Sequence, residues 1–187
     1  LGMADTGYVV NSDNAHRLSP VHWLKDGELV PIDEAHGNPS GGVLVEPWSV
    51  NSYTFDHEFK GGSYGLVSSA GDYFHFAQAI LDGEQLLSSN MVEFMSRNHL
   101  TEEQKNDFMF GPGFGFGLGF GIIEDPAQVG YLSSEGTFFW GGAAATNFWI
   151  DPVEDIVVVQ MTQHMGVNAT AALRGELSAL VYGALIE

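Results

Sequence analysis

The residues best suited to chemistry lie near the C-terminal end, in Gly136-Thr-Phe-Phe-Trp-Gly-Gly-Ala-Ala-Ala-Thr-Asn-Phe-Trp-Ile-Asp-Pro152. Two runs of strand-favouring aromatics flank Gly141, Gly142 and three alanines, so extended backbone carries almost no side-chain bulk at its centre. Such residues cost conformational entropy and packing in a strand. The usual compensation is that something comes close to the main chain. A ligand reading a backbone N–H and a tight sheet-to-helix contact both meet that requirement.

Other candidates for chemistry carry less. Gly61-Gly-Ser63-Tyr-Gly65 fits Gly-x-Ser-x-Gly, but a nucleophile elbow needs a strand before it and a helix straight after. Here a glycine-rich loop precedes and several residues intervene, so Ser63 is disfavoured as a nucleophile. Ser12-Asp13-Asn14 spells a triplet that does chemistry only beside a Ser-x-x-Lys nucleophile, which this sequence lacks, and it reads as coincidence. The seven histidines (16, 22, 36, 57, 75, 99 and 164) contain no His-Glu-x-x-His or close pair, which argues against a metal site. His75 decorates a helix, and His164, ending the last strand, is the histidine able to reach a site rim. Asn168-Ala-Thr170 has the form of a glycosylation sequon and is read as helix capping. The glycines of 111–121 never satisfy Gly-x-Gly-x-x-Gly, so no dinucleotide cofactor is expected, nor any other cofactor.

The elements that must position the Gly-Gly strand follow from periodicity. Residues 1–60 hold short extended pieces punctuated by Pro20, Pro31, Pro39, Gly41, Gly42 and Pro47. After Ser69, the apolar stripe Tyr73, Phe76, Ala77, Ile80 and Leu81 predicts a helix ended by Asp82-Gly83. A second helix is expected from about Ser89 to Asn98, capped by Ser88 or Ser89, with Met91, Val92, Phe94 and Met95 inward. Thr101-Glu-Glu-Gln104 reads as a capping box. Phe114, Phe116, Leu118 and Phe120 alternate with glycines, which predicts a strand with one bare face and a helix lying across it. Further strands are expected at 136–140, 143–150 and 155–163, with Asp151-Pro-Val-Glu154 turning between the last two, and an amphipathic helix from Asn168 to Ile186. Helices first, then an antiparallel meander, then a closing helix argue α+β. The domain reading is one unit, 1–187, with a loop and helical part at 1–110 and antiparallel strands with the closing helix at 111–187.

At 187 residues and 44% apolar content the chain can bury an ordinary core. No run of about 18 apolar residues predicts a membrane span, and no signal peptide is visible. Leu1-Gly2-Met3 does not look like a natural start. Cysteine is absent, which removes disulfide and thiolate chemistry and leaves the compartment undetermined. Twenty-four acidic against six basic residues give a net charge of −18, and no Lys/Arg cluster offsets it. Nucleic acid is therefore excluded as a partner. The acids are scattered, as on a solvated acidic surface.

Four blocks then carry a resemblance: Leu1-Gly-Met-Ala-Asp-Thr-Gly-Tyr8, Gly61-Gly-Ser-Tyr-Gly-Leu-Val-Ser-Ser-Ala-Gly-Asp-Tyr73, Phe114-Gly-Phe-Gly-Leu-Gly-Phe-Gly121 and Phe139-Trp-Gly-Gly-Ala143. In this order they resemble the serine β-lactamase-like hydrolases, in particular the carboxylesterases related to class C β-lactamases. The resemblance implies the β-lactamase/transpeptidase-like fold, its C-terminal portion, and hydrolysis of a small ester through an acyl-enzyme. The family's Ser-x-x-Lys and Tyr-x-Asn motifs precede the first block. Here Lys25, Lys60 and Lys105 follow His22, His57 and Glu102 at that spacing, and no Tyr-x-Asn occurs. The resemblance therefore implies a C-terminal half whose nucleophile, base and tyrosine come from elsewhere, inactive alone, partnered by an N-terminal half or by itself. Trp140-Gly141-Gly142 matches the third motif in its esterase form, which implies that Ala143 N–H is an oxyanion donor, that Gly141 and Gly142 give access, and that Trp140 lines the acyl pocket. Trp140 replaces the Lys or His that would meet a β-lactam carboxylate. A non-catalytic binding or structural module and a lactam-type amide hydrolase are the alternative readings.

The charge balance has a measurable consequence. Carboxylate self-repulsion weakens the compact state at low ionic strength, so Tm should rise between about 10 mM and 1 M salt, as the Debye length falls from about 30 to 3 Å. A thermal melt series checks this; a flat or falling curve removes the electrostatic argument.

Overall fold

The computed structural model describes residues 1–32, 53–54, 56, 58–62, 65–165 and 169–186. Ser63, His36, His57 and Asn168, on which some of the sequence reading falls, lie outside them. After a 3-10 turn at Ala15–Arg17, the elements run β1 (His22–Lys25), β2 (Glu28–Pro31), α1 (Ala70–Asp82), α2 (Ser89–Met95), α3 (Glu102–Asn106), β3 (Phe114–Phe116), β4 (Gly121–Ile123), α4 (Pro126–Val129), β5 (Phe138–Gly141), β6 (Asn147–Asp151), β7 (Ile156–Gln160), β8 (His164–Met165) and α5 (Ala169–Gly183). The architecture is α+β. An antiparallel sheet has the order β3-β4-β5-β6-β7, and a small second sheet has the order β2-β1-β8. In the small sheet β1 pairs antiparallel with β2 and parallel with β8, the latter a departure from an antiparallel meander.

Strand alternation sorts the core onto the two faces of the main sheet. Ile122, Phe138, Phe148 and Ile150 face α1, meeting Ala77, Ile80, Tyr73, Phe76 and Leu81, the stripe expected from the helical period. Ile123, Phe139 and Trp149 face α5, meeting Leu177, Val181 and Tyr182. Phe138, Phe139 and Ile150 are fully buried. Burying each such side chain contributes roughly 1.5–3 kcal/mol.

The helix ends follow their sequence signals. Ser69 Oγ accepts from Asp72 N–H, and Gly83 closes α1 in the left-handed region at φ 65°. Ser88 caps α2, and Thr101 and Gln104 form both bonds of the capping box on α3. Three details differ from the sequence reading. The strand expected from residue 143 begins only at Asn147, because 143–145 form a turn closed by Ala145 N–H donating to the Gly142 carbonyl. Only Val92 and Met95 of α2 join the core, while Met91 and Phe94 are exposed, because seven residues leave only one narrow inner stripe. The Phe/Gly run is a hairpin and not a single strand: Phe114 pairs with Ile123 and Phe116 with Gly121, while Gly117 N–H donates to the Phe120 carbonyl across the turn. A helix end does lie over its bare face. A Cβ at Gly115 would strike Asn98, and one at Gly117 would strike the Met95 carbonyl at the end of α2.

Asp151, buried at the end of β6, ties four segments together. Its Oδ2 accepts from Tyr182 on α5 at 2.6 Å, Thr137 Oγ1 at 3.0 Å and Ser134 N–H at 3.1 Å, while Oδ1 accepts from Val153 and Glu154 N–H. Burial alone would raise its pKa; the hydrogen bonds from Tyr182, Ser134, Glu154 and Thr137 together outweigh it and hold the carboxyl below its ordinary value. A depressed carboxyl contributes stability above its unfolded pKa of about 3.9 and loses it as pH falls through the folded value. Asp151→Asn should therefore cost about 2–3 kcal/mol at pH 7, and less below about pH 4. Urea denaturation of both forms at pH 7 and pH 3 measures this; a deficit that does not shrink in acid would show that the carboxylate charge is not what the network holds.

Candidate functional site

β5 lies at the centre of the main sheet but does not have a partner on both sides along its whole length. Its pairing with β4 covers only Phe138 and Phe139. Its pairing with β6 continues through Trp140↔Phe148 and Gly141↔Asn147. From Trp140 onward, therefore, the β4-side edge of β5 has no neighbouring strand among the described residues. The bonding alternation assigns the groups: Gly142 N–H donates to the Thr146 carbonyl at 2.8 Å on the β6 side, so Gly141, one residue earlier, presents its N–H and C=O to the open edge. Ala143 is exposed, and its N–H has no hydrogen-bond partner among the described residues.

The turn beyond Ala143 is held from beneath. Ala144 is buried against Val21, Ile32, Trp23 and Met165. Its carbonyl accepts from His164 N–H at 3.0 Å and from Thr162 Oγ1 at 3.1 Å. Thr162 Oγ1 also donates to the Ala145 carbonyl. Ala145 has φ 62°, a left-handed conformation that non-glycine residues adopt only where surrounding contacts enforce it. The turn bond from Ala145 N–H to the Gly142 carbonyl, 3.1 Å, completes the frame.

The two glycines owe their bareness to the protein's own packing. A Cβ at Gly141 would come within 3.1 Å of Arg174 Nη2 and 3.0 Å of Asn147 Oδ1; one at Gly142 would strike Thr146 Oγ1. Arg174, from α5, donates to Asn147 Oδ1 at 2.8 Å and lies 4.3 Å from the centre of the Phe139 ring. Asn147 Nδ2 in turn donates to the Ala145 carbonyl and to Gln160. At Gly141 the helix-contact reading of the sequence thus applies, while the strand edge remains available for approach.

Trp140 is half-buried, its ring 5.5 Å from Phe110 and 5.3 Å from Phe116. It can offer a lining only with the part of the indole outside that aromatic cluster. His164 is brought to this end of the sheet, bonded through its backbone to Ala144, whereas His75 is an exposed residue of α1. Ser12, Asp13 and Asn14 immediately precede the Ala15–Arg17 turn. No group of three or more His, Asp or Glu suited to a metal ion occurs among the described residues.

Sequence reasoning missed Arg174, Asn147, Thr146 and Thr162. Arg174 carried a usable signal: it is one of six cations in the chain and sits on the inner stripe of α5, three residues before Leu177. The others act through contacts across the turn that no local side-chain pattern announces.

Comparisons with known proteins bear on the family and the fold. Residues 1–183 match the family model described as Beta-lactamase. Protein Rv1367c of Mycobacterium tuberculosis (strain ATCC 25618 / H37Rv) is 32% identical over 95% of this chain and 44% of its own length. Esterase EstB of Burkholderia gladioli is 27% identical over 96% of this chain and 46% of its own. Among solved structures, EstCE1, titled a hydrolase with promiscuous acyltransferase activity, superposes with TM-score 0.81 at 22% identity, covering 97% of this chain and 47% of that one. Simvastatin synthase (LovD) of Aspergillus terreus superposes with TM-score 0.76 at 20% identity, covering 97% and 47%. These structural likenesses establish the β-lactamase/transpeptidase-like fold, and the chain spans about half the length of the proteins it matches. With a family model matching residues 1–183 of 187, this chain belongs to the β-lactamase family.

Proposed function

We propose that this chain supplies the oxyanion-binding strand of a serine hydrolase that cleaves small carboxylic esters through an acyl-enzyme. The observation that carries the reading is the edge of β5 at Trp140-Gly141-Gly142-Ala143, open among the described residues, with an exposed Ala143 N–H that finds no hydrogen-bond partner among them, on a turn fixed from beneath. A backbone N–H held rigidly is the kind of donor that stabilises negative charge developing on a carbonyl oxygen, because no reorganisation is needed as the charge forms. In the acylation step a serine oxygen bonds to the ester carbonyl carbon, the carbonyl oxygen becomes an anion received by Ala143 N–H, and the alcohol leaves with a proton. Water then repeats the sequence on the acyl-enzyme. Gly141 and Gly142 keep the approach to that N–H low, and Trp140 lines the acyl side. The nucleophile, its lysine and the tyrosine are supplied by a Ser-x-x-Lys and Tyr segment outside this sequence. The likeness to esterase EstB favours ester over lactam, and so does Trp140 at the position of a carboxylate-binding cation.

Two experiments test the reading. Residues 1–187 alone should not hydrolyse short-chain p-nitrophenyl esters or chromogenic cephalosporins, and should self-associate. Adding a polypeptide that carries the N-terminal motifs of a full-length homologue should restore esterase activity, blocked by a Ser-directed phosphonate with the label on the added chain. Uptake of the label at Ser63 by the 187-residue chain alone would replace this assignment with the Gly-x-Ser-x-Gly one.

The second experiment separates packing from access at Gly142. Gly142→Ala meets Thr146 Oγ1 and should cost about 1–2 kcal/mol. Adding Thr146→Ala should return that stability. In the complemented enzyme, stability should recover while kcat/KM stays about tenfold or more below the parent, since a methyl group then stands beside the oxyanion donor. Recovery of both together would assign the glycine to packing alone.

A further inference from the structure

The small sheet has a face that the core does not use. Strand alternation puts Trp23, Val30 and Met165 on one side, where Trp23 and Met165 pack with Val21, Ile32 and Ala144. The same alternation puts His22, Leu24, Leu29, Pro31 and His164 on the other. Leu24 and Leu29 are paired in register and are 60% and 59% exposed. Directly opposed residues on one face of a sheet are close enough to touch, so the two leucines make a single apolar patch. His22 and His164 are also in register and partly exposed, on strands about 4.8 Å apart.

Two features separate this face from a scattered surface leucine. The chain carries 24 acidic residues, yet none of these five positions is acidic. The charges of the hairpin, Lys25, Asp26 and Glu28, are gathered at its tip. An apolar group lying on the patch therefore displaces water from leucine without desolvating a carboxylate. The face also leads to the candidate site. His164 N–H donates to the Ala144 carbonyl at 3.0 Å, so the β8 edge runs beside the turn that carries Ala143. Ala144 is turned into the inner cluster, whereas Ala143 is exposed. Strand order then places His164 on β8 nearest that turn, His22 and Leu24 on β1 next, and Leu29 on β2 beyond.

We infer that this outer face of the small sheet receives the acyl chain of the ester, and that the chain it selects is apolar and long enough to reach from the Ala143 turn to Leu24 and Leu29. The inference rests on the oxyanion role given to Ala143. An imidazole has an apolar body and a polar tip, so His164 and His22 can flank methylenes while keeping their nitrogens in water. An acetyl group ends before the patch and gains nothing from it. An octanoyl group buries methylenes on leucine, and a fully buried methylene is worth about fourfold in affinity.

The test uses p-nitrophenyl esters of graded length on the chain complemented by the polypeptide that carries the N-terminal motifs. kcat/KM for the octanoate should exceed that for the acetate, and Leu24→Ser/Leu29→Ser should lower the octanoate-to-acetate ratio about tenfold. Both leucines are exposed, so the double variant should keep its Tm. Leu180→Ser, at a 72% exposed leucine of α5, removes apolar surface elsewhere and should leave the ratio unchanged. A second measurement needs no turnover. Octanoate added to the chain, alone or complemented, should shift the imidazole NMR signals of His22 and His164 and leave that of His75 on α1 in place. If no ester is hydrolysed, the esterase reading fails and the imidazole shifts alone decide this inference. A ratio that the double variant leaves unchanged overturns it, and so do His22 and His164 signals that octanoate does not move.

Discussion

The rest of the structure depends on burial of the β5–β6 pair from both sides. Phe138, Phe148 and Ile150 take α1 on one face, and Phe139 and Trp149 take α5 on the other. A strand pair clamped between two helix layers cannot slip by one residue without exchanging its faces. That fixed register determines which backbone groups emerge beyond Phe139, where β4 stops. The open edge at Trp140 to Ala143 is thus a consequence of core packing, and the rigidity of the candidate donor comes from residues that touch no ligand.

The two ends of this strand pair are held by different means. At the end of β6 a buried carboxylate, Asp151, gathers Tyr182, Thr137 and three backbone N–H groups. At the opposite end a buried cation, Arg174, reaches Asn147 and covers Gly141. Both reach the sheet from α5 or through it, so the terminal helix serves as a brace for the candidate site as well as a lid on the core. A buried charge with one partner removed is costly, which makes these two ends the sensitive points of the fold.

Much of the architecture was legible in the sequence because it rests on local signals. The stripe from Tyr73 to Leu81, the caps at Ser69 and Ser88 and the capping box at Thr101 each follow from spacing within one element. The Phe/Gly alternation of 114–120 suggested one strand. It is a hairpin because Gly117 and Phe120 close a turn whose position depends on the end of α2, a contact that no local period encodes. The parallel pairing of β1 with β8 joins segments about 140 residues apart and left no trace in either. At the site, Trp140-Gly-Gly-Ala143 stood out, but the reason for the glycines did not: Arg174 and Thr146 fill the space above them, and only their placement in three dimensions reveals it.

The central claim is that Ala143 N–H receives the oxyanion of an acyl-transfer reaction. The most direct measurement is a crystal structure of this chain with the complementing polypeptide, after phosphonylation of the nucleophilic serine. The account predicts a phosphoryl oxygen about 2.7–3.1 Å from Ala143 N, with the phosphorus bonded to a serine of the Ser-x-x-Lys motif. A phosphoryl oxygen turned away from Ala143, or phosphorus bonded to a serine within residues 1–187, would contradict it.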